Sequence, residues 1–324
     1  MSFPFNAYLL AFLSAWFTTS ITLPLWRKWC LRAGLVDDPG HRKIHDAPVP
    51  LAGGLAVLAG IAAPLAGGAI AVKSGLLGIN TANLLGYGLS RRAVELIAIL
   101  FGALGMVALG CWDDRHELRP AVKFSGQSLI ALLVAAAGVR ITLFVHNALF
   151  SYVITLLWIL TVTNAFNFMD NMDGLCAGLG VIAASCFALI AAAAGQYLVA
   201  LIALVGAGAL LGFLPYNFPK AGAFLGDAGS HLVGYLLAVI AILPHFYSRK
   251  NPEVLAVFKP LLVLAVPLID LVWVVMIRWK SGKPFYLGDN NHLSHRLVRR
   301  GWSRTGAVLW VWLMAAVTGS LALL

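Results

Sequence analysis

Ten apolar runs constrain this chain more than anything else in it. They fall at roughly 5–25, 51–73, 93–111, 122–138, 141–163, 175–194, 197–215, 230–247, 258–280 and 304–324. Each is close to the ~20 residues an α-helix needs to cross the hydrocarbon core of a bilayer. In hydrocarbon no water is available to a bare N–H or C=O, so such runs must satisfy their own backbone as helices. The expected fold class is therefore all-α: a polytopic integral membrane protein of about ten transmembrane helices, with residues 1–324 as a single domain. The fourth and fifth runs are separated only by Gly138-Val139-Arg140, and the count is ten or eleven. Composition agrees, since only 11% of residues are charged against about 25% in soluble domains. No basic residue precedes the first run, and Arg27 and Lys28 follow it. That is the reverse of a secretory signal peptide, so the run reads as a retained span with its N-terminus outside.

The charges choose a side. Loops after the odd-numbered runs and their flanks hold sixteen of the 23 Lys and Arg residues, and the opposite side holds seven. The positive-inside rule makes the richer side cytoplasmic, and ten spans then leave both termini external. Ten of the thirteen acids lie on that same side. Acids contribute little to orientation, so their clustering points to a shared site at the cytoplasmic face. The four cysteines, Cys30, Cys111, Cys176 and Cys186, lie in or beside apolar runs without metal-type spacing. They read as small buried hydrophobes.

The polar stretches between the runs carry the chemistry. Thr163 to Gly174 reads TNAFNFMDNMDG, with Asn164, Asn167, Asp170 and Asp173 three apart. Residues at that spacing are neighbours on a helix surface, and such groups at a bilayer edge need a cationic or hydrogen-bonding partner. Asp113 and Asp114 close the third run, with Lys123 nine residues after Asp114. Adjacent carboxylates repel unless a cation lies between them; a solvated helix end is the plainer alternative. In FLGDAGS (224–230), glycine permits close backbone approach at Gly226, and Ser230 is a suitable N-cap with free N–H groups beyond it for an anion. Asp227 could ligate Mg²⁺ there; an ordinary capped turn is the alternative. The last loop is long and basic. In it Asp289, His292 and His295 recur every three residues and would share a helix face, with Lys283, Arg296, Arg299 and Arg300 nearby for a phosphate-rich ligand. A cationic helix lying on anionic lipid would read the same way. In the first loop Arg42, Lys43 and His45 could meet a lipid phosphate or merely enforce topology. Asp270, inside the ninth run, is either functional or a structural hydrogen-bonding group. No GxxxxGK[ST], HExxH or GxSxG occurs, which removes support for an ATP-driven pump, zinc proteolysis and serine hydrolysis.

Taken in order, Asp113-Asp114 with Lys123, then NAFNFMDNMDG, FLGDAGS and PF…DNNHLSHRL resemble the polyprenyl-phosphate N-acetylhexosamine-1-phosphate transferase superfamily, glycosyltransferase family 4. The first loop, RKIHDAPVPLAGG, resembles the branch typified by UDP-GlcNAc:undecaprenyl-phosphate GlcNAc-1-phosphate transferase more than the UDP-MurNAc-pentapeptide branch. The likeness runs from about Gly34 to Gly301. It implies a catalytic set of Asp113, Asp114, Lys123, Asp170, Asp173, His292 and His295. Asn167 and Asp227 would be ligands of Mg²⁺, with Mn²⁺ as a substitute. Substrate contacts would come from Asn164, Asn167, Arg42, Lys43, His45, Gly226, Ser230, Asp289 and Arg296. The chain departs from the family pattern at two places: Ser294 stands where a histidine of His-x-His-His is usual, and Asn171 where a glycine is usual.

The resemblance implies transfer of a sugar 1-phosphate, GlcNAc-1-phosphate foremost, from a UDP-N-acetylhexosamine to undecaprenyl phosphate in the bacterial cytoplasmic membrane. The products would be UMP and a lipid diphosphate sugar, opening a cell-surface glycan. Two polyanions must be brought together, so cations and positioning do most of the work. A phosphate monoester has its second pKa near 6, so the nucleophile is largely ionised at neutral pH without a strong base; Asp113 is the candidate if one is used. The lipid bilayer is a partner, nucleic acid is not, and a homodimer is left open. Two alternatives stand: another donor, either a different UDP-HexNAc or UDP-MurNAc-pentapeptide, and an ion-coupled secondary transporter, which would hold its carboxylates near the bilayer midplane.

Overall fold

Each apolar run has a helical core, the ninth in two pieces, as a backbone surrounded by hydrocarbon requires. The computed structural model describes residues 5–38, 47–74, 76, 79–142, 145, 147–244, 254–286 and 288–324. In chain order these form α1 (Phe5–Ala33), the short antiparallel pair β1 (Val36–Asp37) and β2 (Val49–Pro50), α2 (Gly53–Lys73), α3 (Ile79–Arg91), α4 (Ala93–His116) and α5 (Pro120–Ala136). Then follow α6 (Ala148–Met169), α7 (Leu175–Ala193), α8 (Tyr197–Phe213), α9 (Gly226–Ile242), α10 (Lys259–Val263), α11 (Ala265–Lys280), α12 (Leu293–Arg299) and α13 (Arg304–Leu321).

Among the described residues seven helices are long and apolar enough to cross a membrane, and an eighth span forms if α10 and α11, bent by 69°, count as one. By length and composition that is fewer than the expected ten or eleven. The shortfall lies in α5 and α9, apolar helices of 17 residues each. The sequence stops both early: α5 starts at Pro120 and ends before Gly138, whose φ is +112°, and α9 ends just before Pro244. The two-stranded pair and the 13-residue helix α3 were not anticipated.

The innermost element is α9, buried from Ala228 through Ala241. It packs against α2, α4, α6, α7 and α8. Two glycines let backbones close on it. A Cβ at Gly110 of α4 would sit 2.3 Å from the Ala228 Cα, and one at Gly234 would sit 2.6 Å from the Thr163 Cα of α6. Small residues play this part where lipid removes the hydrophobic drive for helix association. Polar tips complete the attachment: Tyr235 Oη donates to the Ile99 carbonyl (3.1 Å) and Trp158 Nε1 to the Ala238 carbonyl (3.0 Å). The outer helices turn Phe101, Leu129, Leu157 and Ile269 outward, an apolar surface that suits lipid rather than water. All four cysteines are free thiols and three are buried, as the sequence suggested.

The segment before α9 is fixed to the start of α2. Phe224 N donates to Pro50 O (3.0 Å), Gly53 N to Phe224 O (2.9 Å) and Gly54 N to Leu225 O (3.2 Å). These bonds decide where the first turn of α9, with Asp227, is presented.

Candidate active site

Helix ends gather at one end of the bundle around a cleft of about 490 Å³. Its wall includes Asp114 from the last turn of α4, Asn167 from the last turn of α6, Asp170 and Asp173 from the α6–α7 turn, Asp227 from the first turn of α9, and Arg304 from the start of α13.

Behind that wall lie two polar layers one helical turn apart. The outer layer is centred on Lys123 of α5. Its Nζ is 2.7 Å from Asp113 Oδ2, 3.2 Å from Asp227 Oδ2 and 3.4 Å from Asn167 Oδ1. Asn167 Nδ2 donates to Asp227 Oδ1 and, at 2.9 Å, to Ser230 Oγ. The inner layer repeats these three helices a turn deeper: Gln127 (four after Lys123), Asn164 (three before Asn167) and His231 (four after Asp227). Asn164 Nδ2 donates to Gln127 Oε1 and to the Leu160 carbonyl, both at 2.8 Å, and Gln127 Nε2 lies 3.3 Å from His231 Nε2. Both layers follow from i, i+3 and i, i+4 spacing.

The paired aspartates do different things. Asp113 is buried and accepts the Leu118 amide (2.8 Å) besides meeting Lys123, bracing the α4–α5 turn. Asp114 accepts the backbone N–H groups of Asp227 (2.8 Å) and Ala228 (3.1 Å). A carboxylate there satisfies the orphan donors and positive pole of a helix start. Gly226 makes room: its φ is +71°, and a Cβ would lie 2.8 Å from Asp114 Oδ2. The expectation that Ser230 caps this helix and leaves amides free for an anion is corrected. The helix begins four residues earlier, Asp114 takes the first amides, and the Ser230 hydroxyl receives Asn167.

In the α6–α7 turn, Asp173 Oδ2 accepts the Ala221 amide (3.0 Å), and Asn217 ties the Gly174 amide to the Ala223 carbonyl. Burial pushes the Asp170 carboxyl well above the usual carboxylate range, and the nearby charges of Asp227, Asp114 and Asp173 push the same way. A cleft with this many acids draws cations.

A second cluster joins the turn from α11 and α12. His292 Nδ1 lies 2.6 Å from Asp270 Oδ2, and the Leu293 amide donates to Asp270 Oδ1 (2.7 Å); His292 and Asp270 are both buried. Arg278, also buried, pairs with Asp289 (3.1 Å), donates to the Phe285 carbonyl (2.6 Å) and lies 4.8 Å above the Phe168 ring. Phe168, from the motif between Asn167 and Asp170, also meets His292 edge-on at 5.5 Å. Although burial opposes ionisation of Asp289, the Arg278 bond and charge and the Asn291 amide hold its carboxyl below its usual range. Burial, then His292, Arg304 and Arg299, lower His295 and favour its neutral form.

The structure brings Asp114, Asn167, Asp170, Asp173, Gly226 and Asp227 together on one cleft. Asp113, Lys123, Asn164 and Ser230 stand behind the wall rather than in it. Asp289 precedes α12 and accepts the Asn291 amide (3.0 Å), so the expected helix face shared with His292 and His295 does not form. Arg296 stacks over Trp273 at 4.8 Å. Arg42, Lys43 and His45 lie outside the described residues. Several polar groups went unread. Gln127 and His231 could have been found by helical spacing from Lys123 and Asp227. Arg304, Lys220 and Arg278 stand out in the sequence only as charges on the more basic side. The two departures from the family pattern prove to be partners: the Ser294 hydroxyl donates to Asn171 Oδ1 at 2.7 Å.

The fold and this site define a polytopic membrane enzyme with an acidic, amide-lined cleft where the helices end. The chain belongs to glycosyl transferase family 4, whose model matches residues 96–245, the stretch from α4 through α9. It is similar to the probable undecaprenyl-phosphate N-acetylglucosaminyl 1-phosphate transferase of Bacillus subtilis (strain 168), 31% identical over 95% of this chain and 82% of that one. It is 32% identical to the decaprenyl-phosphate N-acetylglucosaminephosphotransferase of Mycobacterium tuberculosis (strain ATCC 25618 / H37Rv), over 88% of this chain and 74% of the relative. A third relative, the undecaprenyl-phosphate alpha-N-acetylglucosaminyl 1-phosphate transferase of Escherichia coli (strain K12), is 27% identical over 96% and 82%. The protein is a phosphotransferase.

Proposed function

We propose that this enzyme transfers N-acetylhexosamine 1-phosphate, GlcNAc-1-phosphate foremost, from a UDP-sugar to undecaprenyl phosphate at the cytoplasmic face of a bacterial membrane, beginning a cell-surface glycan. The observation that carries the reading is the meeting of Asp114, Asn167, Asp170, Asp173 and Asp227 with Arg304 in one cleft at a bundle end. A soluble nucleotide and a lipid phosphate can both reach such a place. A transporter would hold its ion-coupling carboxylates between broken helices near the midplane, whereas these lie where helices terminate.

An oxygen of the lipid phosphate attacks the β-phosphorus of the donor; the bond from that phosphorus to the bridging oxygen breaks, and UMP leaves. The nucleophile is already largely dianionic near pH 7, and Asp113 is committed to Lys123 and the Leu118 amide, so no strong base is required. Asp227 and Asn167 carry oxygen donors that would suit Mg²⁺; the His231 imidazole close to Asp227 is a less suitable ligand for so hard an ion. Bound there, Mg²⁺ would supply charge neutralisation for the diphosphate. Lys123, Lys220 and Arg304 add positive charge, and Asp114 keeps the first turn of α9, hence Asp227, in place. His292, held by Asp270, and His295 would address the diphosphate or sugar from the α12 side.

The same arrangement supports ten passes by a single domain. The cleft collects the C-terminal ends of α4, α6 and α8 and the N-terminal ends of α7, α9 and α13, with Lys123 brought by the first turn of α5. That alternation needs α5 and α9 to traverse the bilayer despite their length, and it leaves both chain termini at the opposite, external face.

The purified protein supplied with undecaprenyl phosphate, Mg²⁺ and a panel of UDP-sugars should give UMP and a lipid-extractable sugar diphosphate, with UDP-GlcNAc the best donor. EDTA should stop the reaction and Mg²⁺ restore it. No product from any donor would overturn the reading.

A further inference from the structure

Asn171 lies in the α6–α7 turn between Asp170 and Asp173 and lines the cleft. Both ends of its amide are engaged: Nδ2 donates to the Phe168 carbonyl at 2.6 Å, and Oδ1 accepts the Ser294 hydroxyl at 2.7 Å. Ser294 is 1% exposed and sits on α12 between His292 and His295. The backbone of α12 packs chiefly on α13, and Asp270 ties its first turn to α11. The Ser294–Asn171 bond is therefore the polar tie that the described residues show between the histidine helix and the carboxylate turn. The edge of Phe168 against His292 adds an apolar contact.

We propose that Asn171 and Ser294 form a latch that keeps the Asp170–Asp173 turn in register with His292 and His295, so that both groups act on one bound donor. The proposal rests on the transferase reading above. Both are positioning residues: each polar tip in the bond is taken by the protein, and their effect reaches substrate through the neighbours they hold. The Ser294 hydroxyl is buried and Asn171 is its partner, so the two are coupled: removing the amide strands the hydroxyl, whereas removing both does not.

The test is a double-mutant cycle on purified enzyme with UDP-GlcNAc and undecaprenyl phosphate. Ser294→Ala and Asn171→Ala should each lower kcat about tenfold, equivalent to ~1.4 kcal/mol in the barrier. KM for both substrates should stay within about twofold and Tm within ~4 °C. The double variant should be no slower than the slower single. Ser294→Ala removes a single oxygen and carries the test alone if Asn171→Ala does not survive purification. Unchanged kcat in Ser294→Ala, losses that multiply in the double, or a fall in Tm with kcat intact would overturn the latch. Wild-type enzyme inactive with every donor would instead overturn the transferase reading beneath it.

Discussion

Single side chains in this site are most informative where their partners are charged and buried. Asp270 accepts from both His292 Nδ1 and the Leu293 amide. Asp270→Asn keeps the shape and removes the charge. Charge-assisted hydrogen bonds contribute ~1.5–3 kcal/mol, so kcat should fall about 10–100-fold while the protein still purifies as a folded species. Full activity would mean that His292 needs no orientation. Asp170 offers a test by pH. Its folded-state pKa lies above its unfolded value because burial and three neighbouring acids oppose ionisation. Its contribution to stability is therefore complete below the unfolded pKa, near 4, and is lost as pH rises through the folded pKa. Without ligand, Asp170→Asn should raise Tm relative to wild type at pH 8, and the gap should close toward pH 4. A gap that widens on acidification would refute the sign. At this scale the sequence was readable for the aspartates and Asn167, whose type and spacing advertise their chemistry. Asp270 remained evenly poised, because nothing local reveals that a loop 22 residues later returns to it.

At the scale of elements, spacing told more about helix cores than about their ends. All ten apolar runs have helical cores, yet α9 starts at Gly226 rather than near Ser230, since Asp114, 113 residues earlier in the chain, supplies the cap. Similarly, α12 begins only at Leu293, whose amide Asp270 accepts from another helix, while Asp289 pairs with Arg278. Close backbone approach is the other element-scale decision. A methyl at Gly110 would meet the backbone of Asp227 and Ala228 at 2.3–2.5 Å. Gly110→Ala should thus force α4 from α9, at an overpacking cost of ~1–3 kcal/mol. It should lower Tm and, by shifting Asp227, depress activity more than the same change at Gly67, where a Cβ meets nothing within 4 Å. Equal effects at both positions would deny this contact its importance.

For the whole molecule, the decisive question is which side of the membrane each helix end occupies. If α5 crosses, Arg119 and Arg140, both exposed, lie on opposite sides. In intact cells a membrane-impermeant maleimide should label Arg140→Cys and spare Arg119→Cys until the membrane is opened. Labelling of both would put α5 on one side and break the alternation that collects the site. The sequence by itself determined the class of molecule, the helix cores and the polar face, because hydrocarbon leaves a chain no alternative to helices and charges sort by side. Only the tertiary structure decided which polar groups meet. Asp114 reaches α9, Lys123 lies between Asp113 and Asp227, Asp270 holds His292, and Ser294 meets Asn171. These pairs are 10 to 123 residues apart, and a hydrogen bond requires two groups within about 3 Å. Local pattern sets the direction of a side chain on its own helix; only packing against the other helices sets what it faces.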